Sequence, residues 1–345
     1  MPTALRAACA IGALALLLQP AGAAARYTLV VLSHADRSVY ELDPDSGRIL
    51  HRVQLPADPR DAAISPDGNQ IYVSLPAAGT IQTIDARSFT LAGRIDSRAF
   101  AARPAPAGLA LTSDGTTLYA GAGDGLVEVD LASHLTRRWE RGLLPDGLFQ
   151  IQPGSDWLYF PTGNTNRVIV FDTSTHRRTA VLRVNGDPAD VGFAPNGDVW
   201  FSEDRDGTAT VASSMTHRVQ QVVRTGGRGA SRIAVSPDGR YVAVTHAASQ
   251  DVALIDARAR RLLGVVATGR GPGFPVFSAD SARLFVMNRG AGDVAVVDVS
   301  RRTVVARWKA GTDPFGGGLR YLAHPQPPAA VAGGAPARRP GHPLH

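Results

Sequence analysis

The chain reads as an all-β protein: a seven-bladed β-propeller of four-stranded antiparallel blades, with the first blade closed by a C-terminal strand. Three observations predict this. The stretch "ISPDGNQIYVS" at 64–74 returns as "VSPDGRYVAVT" at 235–245, and variants of its turn begin at residues 65, 112, 152, 194, 236 and 278, mostly 42 residues apart. An aspartate closes an alternating apolar run at Asp43, Asp85, Asp130, Asp172, Asp256 and Asp298, with Ser214 read at the remaining place, so the count is seven. The two ends are complementary, as described below.

The first 25 residues stand apart. Arg6, the apolar run "AACAIGALALLL" and the small residues "AGAAA" read as a secretory signal peptide over 1–25, cleaved after Ala23 or Ala25. That placement predicts a periplasmic or secreted protein with no transmembrane span after cleavage; an uncleaved anchor is the alternative, although the run is short for a bilayer. The one cysteine, Cys9, falls inside the leader, so a mature chain has no disulfide, thiol nucleophile or thiolate metal ligand.

From residue 26 to 325 each unit holds four short β runs, as in "DAAIS", "IYVS", "IQTID" and "LAGRI". In "SPDG" the proline presets one backbone angle, the aspartate bonds back to the main chain and the glycine accepts a positive φ, which makes a tight hairpin. The chain enters at "YTLVVLS", which matches the second strand of a unit, and the missing inner strand appears as "DPFGGGLRYLAHP" at the other end. Blade one is therefore expected to be assembled from both termini, which spares the ring two open sheet edges. An extension, "DSRAFAARPAPAG" at 96–108, stands on one face as a lid, a partner contact or a tolerated insertion. Residues 326–345, rich in Pro, Ala, Gly and Arg, read as a disordered tail.

Composition removes several function classes. The formal charge of +6 includes Arg6, Arg338 and Arg339, so the propeller itself carries an excess of about three, with no basic cluster, and a nucleic-acid partner is unlikely. No nucleophile elbow, Walker loop or zinc helix appears, and "GAGDG" at 121–125 is a loop with no helix after it.

Strand direction alternates in a blade, so the stereotyped "SPDG" turns share one face and the unlike loops between second and third strands share the other. Unlike loops at a channel mouth can discriminate ligands; a repeated turn cannot. The first channel-facing positions of the inner strands are Asp61, Gly108, Leu148, Asp190, Arg232, Phe274 and Gly316, with Arg60 and Phe315 one place earlier. The loops between second and third strands add His34, Asp36 and Arg37, then Asn164, Asn166 and Arg167, then Glu203, Asp204, Arg205 and Asp206, then His246, Asn288 and Arg289. Ligand binding is assigned to Arg60, Asp61, Asp190, Arg205, Arg232, Asn288, Arg289 and Phe315, a set that suits a small polar or anionic ligand. A rim ion-pair network among Asp61, Asp190 and Arg232 is the alternative. His34 and His246 are candidates for a metal or haem iron, or for general acid–base work with Glu203; two solvated loop histidines are the plainer reading, since no ligand spacing such as H-x-x-x-H supports a site.

The units "GRGPGFPVFSADSARLFVMNRGAGDVAVVDVSRRTVVARWKAG" and "SRIAVSPDGRYVAVTHAASQDVALIDARARRLLGVVATG" resemble the YVTN-repeat (YncE-like) β-propeller family over about residues 27–325. Repeats of that family usually carry glycine where Asp61, Asp190 and Arg232 stand, so these three are departures. "PADVGFAPNGDVWFSED" is similar to the pattern of streptogramin-lyase and gluconolactonase-like propellers, in one blade alone. The resemblance implies a binding protein, a protein of haem or quinone cofactor pathways, or a lactonase-type enzyme. The expectation is a monomeric ligand-binding or protein-interaction scaffold without turnover, with an envelope protein as a further candidate partner. The alternatives are a lactonase- or lyase-type enzyme using His34, Glu203 and His246, and an accessory protein that binds a haem-like or quinone cofactor. The sequence leaves the identity of any cofactor open.

Overall fold

A computed structural model describes residues 26–96, 100, 106–122, 125–141, 148–162 and 165–322. The leader at 1–25, the tail at 326–345, most of the 96–108 extension and Asn164 lie outside these residues. Twenty-eight strands form seven four-stranded sheets, and no α-helix occurs among the described residues. In blade two the strands are Asp61–Ile64, Gln70–Leu75, Thr80–Asp85 and Thr90–Asp96, ordered from the channel outward.

Two recurring turns explain the two sequence rulers. In the "SPDG" turn, Asp67 accepts hydrogen bonds from the Ser65 hydroxyl and the Asn69 N–H, and Gly68 takes φ +70°. Asp238 and Gly239 repeat the arrangement in blade six, at φ +69°. Between third and outer strands, Asp85 accepts from the N–H groups of Arg87 and Ser88, and Asp130 from those of Ala132 and Ser133. Ser213, not Ser214, fills this place in blade five. It pairs with Asp198 as Asp256 pairs with Tyr241, and its hydroxyl accepts the Thr216 N–H. The one-residue difference follows from strand register, which spacing alone does not reveal.

Apolar residues on both faces of every blade meet those of the neighbours, so the core is seven interblade clusters and not one. Between blades three and four, Phe149 stacks on Phe160, which meets Phe171 edge-on. Between blades five and six, fully buried Trp200 packs with Val242 and Ala253. Each large side chain buried this way stabilises by roughly 1.5–3 kcal/mol.

Closure occurs in blade one as the sequence predicts. The C-terminal strand Pro314–Tyr321 pairs antiparallel with Tyr27–Ser33, from Tyr27↔Tyr321 to Ser33↔Pro314. Its glycines let the backbones approach: a Cβ on Gly317 would collide with the Val30 carbonyl oxygen and crowd Met287. At one end of the seam Asp36 accepts hydrogen bonds from the Thr312 N–H and hydroxyl, at 2.7 and 2.6 Å, and from Ser33 and Tyr40. At the other, buried Arg320 donates to Glu41 at 2.6 Å and to the Gly68 carbonyl at 2.7 Å. Burial alone would push the Glu41 carboxyl up, but hydrogen bonds from Thr28, His51 and Arg320 outweigh it and hold the group below its ordinary value.

Arg320→Ala strands a buried carboxylate and should cost about 3–5 kcal/mol at pH 7 by urea denaturation. A folded-state value below the unfolded one means that the stability from Glu41 is present above about pH 4.3 and lost as the pH falls further. The gap between wild type and variant should therefore shrink below about pH 4.

Candidate functional site

All seven inner strands enter from the face of the unlike loops, and their first channel-facing residues converge there. In blades five and six a register shift precedes this position, between Pro188 and Asp190 and between Ala230 and Arg232, and in blade seven the shift between Pro272 and Pro275 spans it. Bulges of this kind re-aim a side chain at the rim of a closed sheet.

Asp61 and Asp190 hold equivalent positions and do equivalent work. One carboxylate oxygen of Asp61 accepts from its neighbour Ala62 and the other from Leu109 of the next blade, both at 2.8 Å. Asp190 accepts from Val191 at 2.8 Å and, across the blade boundary, from Ile233 at 3.1 Å. Burial pushes the Asp61 carboxyl up to about 7, against the two backbone donors; the charge of Asp190 adds to the rise and that of Arg232 opposes it. Burial likewise raises Asp190 to about 6, with Arg232 the main opposing influence.

Arg232 shares this field without touching either carboxylate. Among the described residues it makes no ion pair: one guanidinium nitrogen donates to the Ser231 carbonyl at 2.8 Å, and the group lies 5.0 Å from the ring centre of Phe274. The ion-pair network among Asp61, Asp190 and Arg232, the alternative to ligand binding, is thus a field and not a set of contacts. Burial lowers the Arg232 value, Asp190 and Asp61 offset it, and the charges of Arg60 and Arg289 deepen it.

Blades seven and one continue the wall. Arg289 lies 5.7 Å from the Phe315 ring centre and grips Asp313 with two hydrogen bonds at 2.9 and 3.0 Å. His34, with its side chain 43% exposed, meets Phe315 edge-on and sits 3.8 Å from Asp313. Gly316 leaves room beside Phe274, whose ring a Cβ there would touch. The mouth therefore presents two aromatic rings, each covered by a guanidinium. Arg60 is exposed next to Asp61, whereas Arg205 is occupied on the rim by Asp187 at 2.8 Å.

Three other assigned residues prove to be hairpin locks. Glu203, His246 and Asn288 each end a second strand, and all three are fully buried. Each bonds the residue five places on, which opens the third strand: Glu203 with Thr208 at 2.5 Å, His246 with Asp251 at 2.6 Å, Asn288 with Asp293 at 2.8 Å. Glu203 also holds Thr210 and the Asn185 N–H, and the second ring nitrogen of His246 meets Thr225 at 2.7 Å. The reading of His246 as a solvated loop histidine fails for the same reason. A general base must reach a substrate proton, and of His34, Glu203 and His246 the last two are sealed and committed to structural hydrogen bonds. Among the described residues no group of three or more His, Cys, Asp or Glu could hold a metal ion.

Asp313 escaped the sequence reading although a signal for it was present. Asp-Pro opens the approach to three inner strands, at Asp58, Asp187 and Asp313, and each aspartate pairs with an arginine of a second-to-third-strand loop: Arg37, Arg205 and Arg289. The opposite mouth, on the "SPDG" face set aside as uniform, holds a cavity of about 490 Å³.

No family model and no curated protein matches the chain. Solved structures do. A functionally unknown protein from Desulfotomaculum acetoxidans DSM 771 aligns with a TM-score of 0.72 at 15% identity, over 86% of this chain and 99% of that one. Kuenenia stuttgartiensis hydrazine synthase aligns at 0.62 and 20%, over 74% and 87%. Dihydro-heme d1 dehydrogenase NirN in complex with DHE aligns at 0.62 and 16%; the match spans 82% of this chain and 64% of that one. At such identities the likeness concerns the fold, and by that fold the chain is a seven-bladed β-propeller scaffold.

Proposed function

We propose that this protein is a periplasmic or secreted binding propeller that takes a small anionic ligand at the channel mouth on its variable face, without turning it over. The observation that carries the reading is Arg232. A guanidinium has five N–H donors, and here one goes to a carbonyl while the ring of Phe274 lies close by. A half-buried cation with unspent donors is matched by a carboxylate or phosphate, which can accept two parallel hydrogen bonds. Asp61 and Asp190 do not take those donors: among the described residues neither carboxylate bonds to Arg232, and each is oriented by two backbone N–H groups. Turnover is left out because Glu203 and His246, two of the three candidate groups, are buried and spent on structural hydrogen bonds. The leader-like first 25 residues support an envelope or extracellular location.

A second reading, a planar haem-like ligand bearing carboxylates, draws on the two guanidinium-covered rings and on half-exposed His34 beside Phe315. NirN, of the same fold, is described in complex with DHE. Hemin titration followed by absorbance tests it: a saturable band shift that His34→Ala removes is the expected result.

For the main reading, calorimetry against a panel of mono-, di- and tricarboxylates and phosphate should find at least one ligand. Arg232→Met should weaken it about ten-fold or more, in line with the ~1.5–3 kcal/mol of a charge-assisted hydrogen bond. Arg205→Ala, which loses only a rim pair, should leave the affinity unchanged. Absence of binding across the panel, or equal affinity in Arg232→Met, would refute the assignment.

The affinity should depend on pH. Asp61 and Asp190 are neutral below about pH 6 and acquire charge as the pH rises through 6 and 7, which makes the mouth more negative. Anion affinity should therefore fall between pH 5.5 and 8, and Asp61→Asn should flatten the fall. Affinity that rises over this range would contradict the electrostatics described.

A further inference from the structure

At the far mouth the inner-strand ends and the "SPDG" turns enclose a cavity of about 490 Å³, walled by Pro66, Pro153, Pro195, Phe193, Leu319 and Tyr321. The chain itself leads to it. Tyr321 lines the cavity, Leu322 beside it is 46% exposed, and 23 residues follow, beginning Ala-His-Pro-Gln-Pro-Pro-Ala-Ala-Val-Ala. We propose that the segment 325–332 of the chain's own tail docks in this cavity.

Three observations favour this occupant. Proline-rich segments hold an extended conformation at little entropic cost and dock against apolar surfaces that include aromatic rings, here Phe193 and Tyr321. Gln152, also in the wall, keeps a buried side-chain oxygen without a partner among the described residues, which a backbone N–H of Gln326, Ala329 or Ala330 would satisfy. The tail then runs to Arg338 and Arg339, while the turns around the mouth expose Asp67, Asp114 and Asp238 against Arg240, an acidic excess that complements the tail. Thirteen residues from Pro325 to Arg338 span about 40 Å when extended at ~3.1 Å each, ample to cross the cavity and reach its rim. Tethering makes the effective concentration millimolar, so weak contacts suffice. This docking site is separate from the anion site, which lies at the other mouth.

Disulfide trapping tests it in the full chain with Cys9→Ser, which removes the one native thiol. Val331→Cys is combined with Leu111→Cys in the cavity wall, or with Ser300→Cys at an outer turn outside the cavity. Under mild oxidation the cavity pair should form an intrachain bond at least ten-fold faster than the outer pair. Val235→Cys in place of Leu111→Cys gives a second wall position should the first variant not fold. Equal rates for cavity and outer pairs overturn the proposal, and so do bonds that form mainly between chains, which would make the occupant a second copy's tail.

Discussion

Each blade buries one face of its sheet against the blade before it and the other against the blade after, so none of the seven interblade clusters is complete until the ring is closed. Closure in turn depends on residues nearly three hundred positions apart, Tyr27–Ser33 and Pro314–Tyr321, joining in one sheet. Stability thus runs through a single seam. Glycine at 317 admits the close approach, Asp36 ties the incoming segment at one end, and the Arg320–Glu41 pair ties it at the other. Contacts of such sequence separation are costly in loop entropy, and a ring of this kind is expected to fold slowly.

The same ring decides which polar residues are available for function. The polar side chains Glu203, His246 and Asn288 at the ends of second strands are buried and used up by their own hairpin and by the segment leading into the blade. Gly227 lies so close over the His246 ring that a Cβ there would strike it. A side chain at the head of an inner strand faces the channel instead. There the fold leaves different charges unspent: Asp61 and Asp190 are tied to the next blade, whereas Arg232 keeps donors free. The two mouths consequently differ, one cationic and aromatic, the other apolar and walled by the prolines of the repeated turns.

Much of this is legible in the order of residues. The 42-residue period, the two turn rulers and the complementary ends led to seven blades and to their closure. The heads of the inner strands could be located by counting, and Asp61, Asp190 and Arg232 stood out there. Glu203, His246 and Asn288 were misplaced, because a histidine or glutamate at a strand end looks the same in one dimension whether it faces solvent or its own hairpin. An i, i+5 pairing of Glu with Thr, His with Asp and Asn with Asp was present in the letters, but its meaning depends on register.

The architecture follows from the order of residues alone, since periodic patterning and turn chemistry are local properties that repeat and so reinforce one another. The site does not. Whether a carboxylate meets a backbone N–H of the next blade, or a guanidinium finds a ring in place of an acid, depends on contacts between segments some forty residues apart. Those contacts are set by ring geometry and bulges, which no single blade encodes.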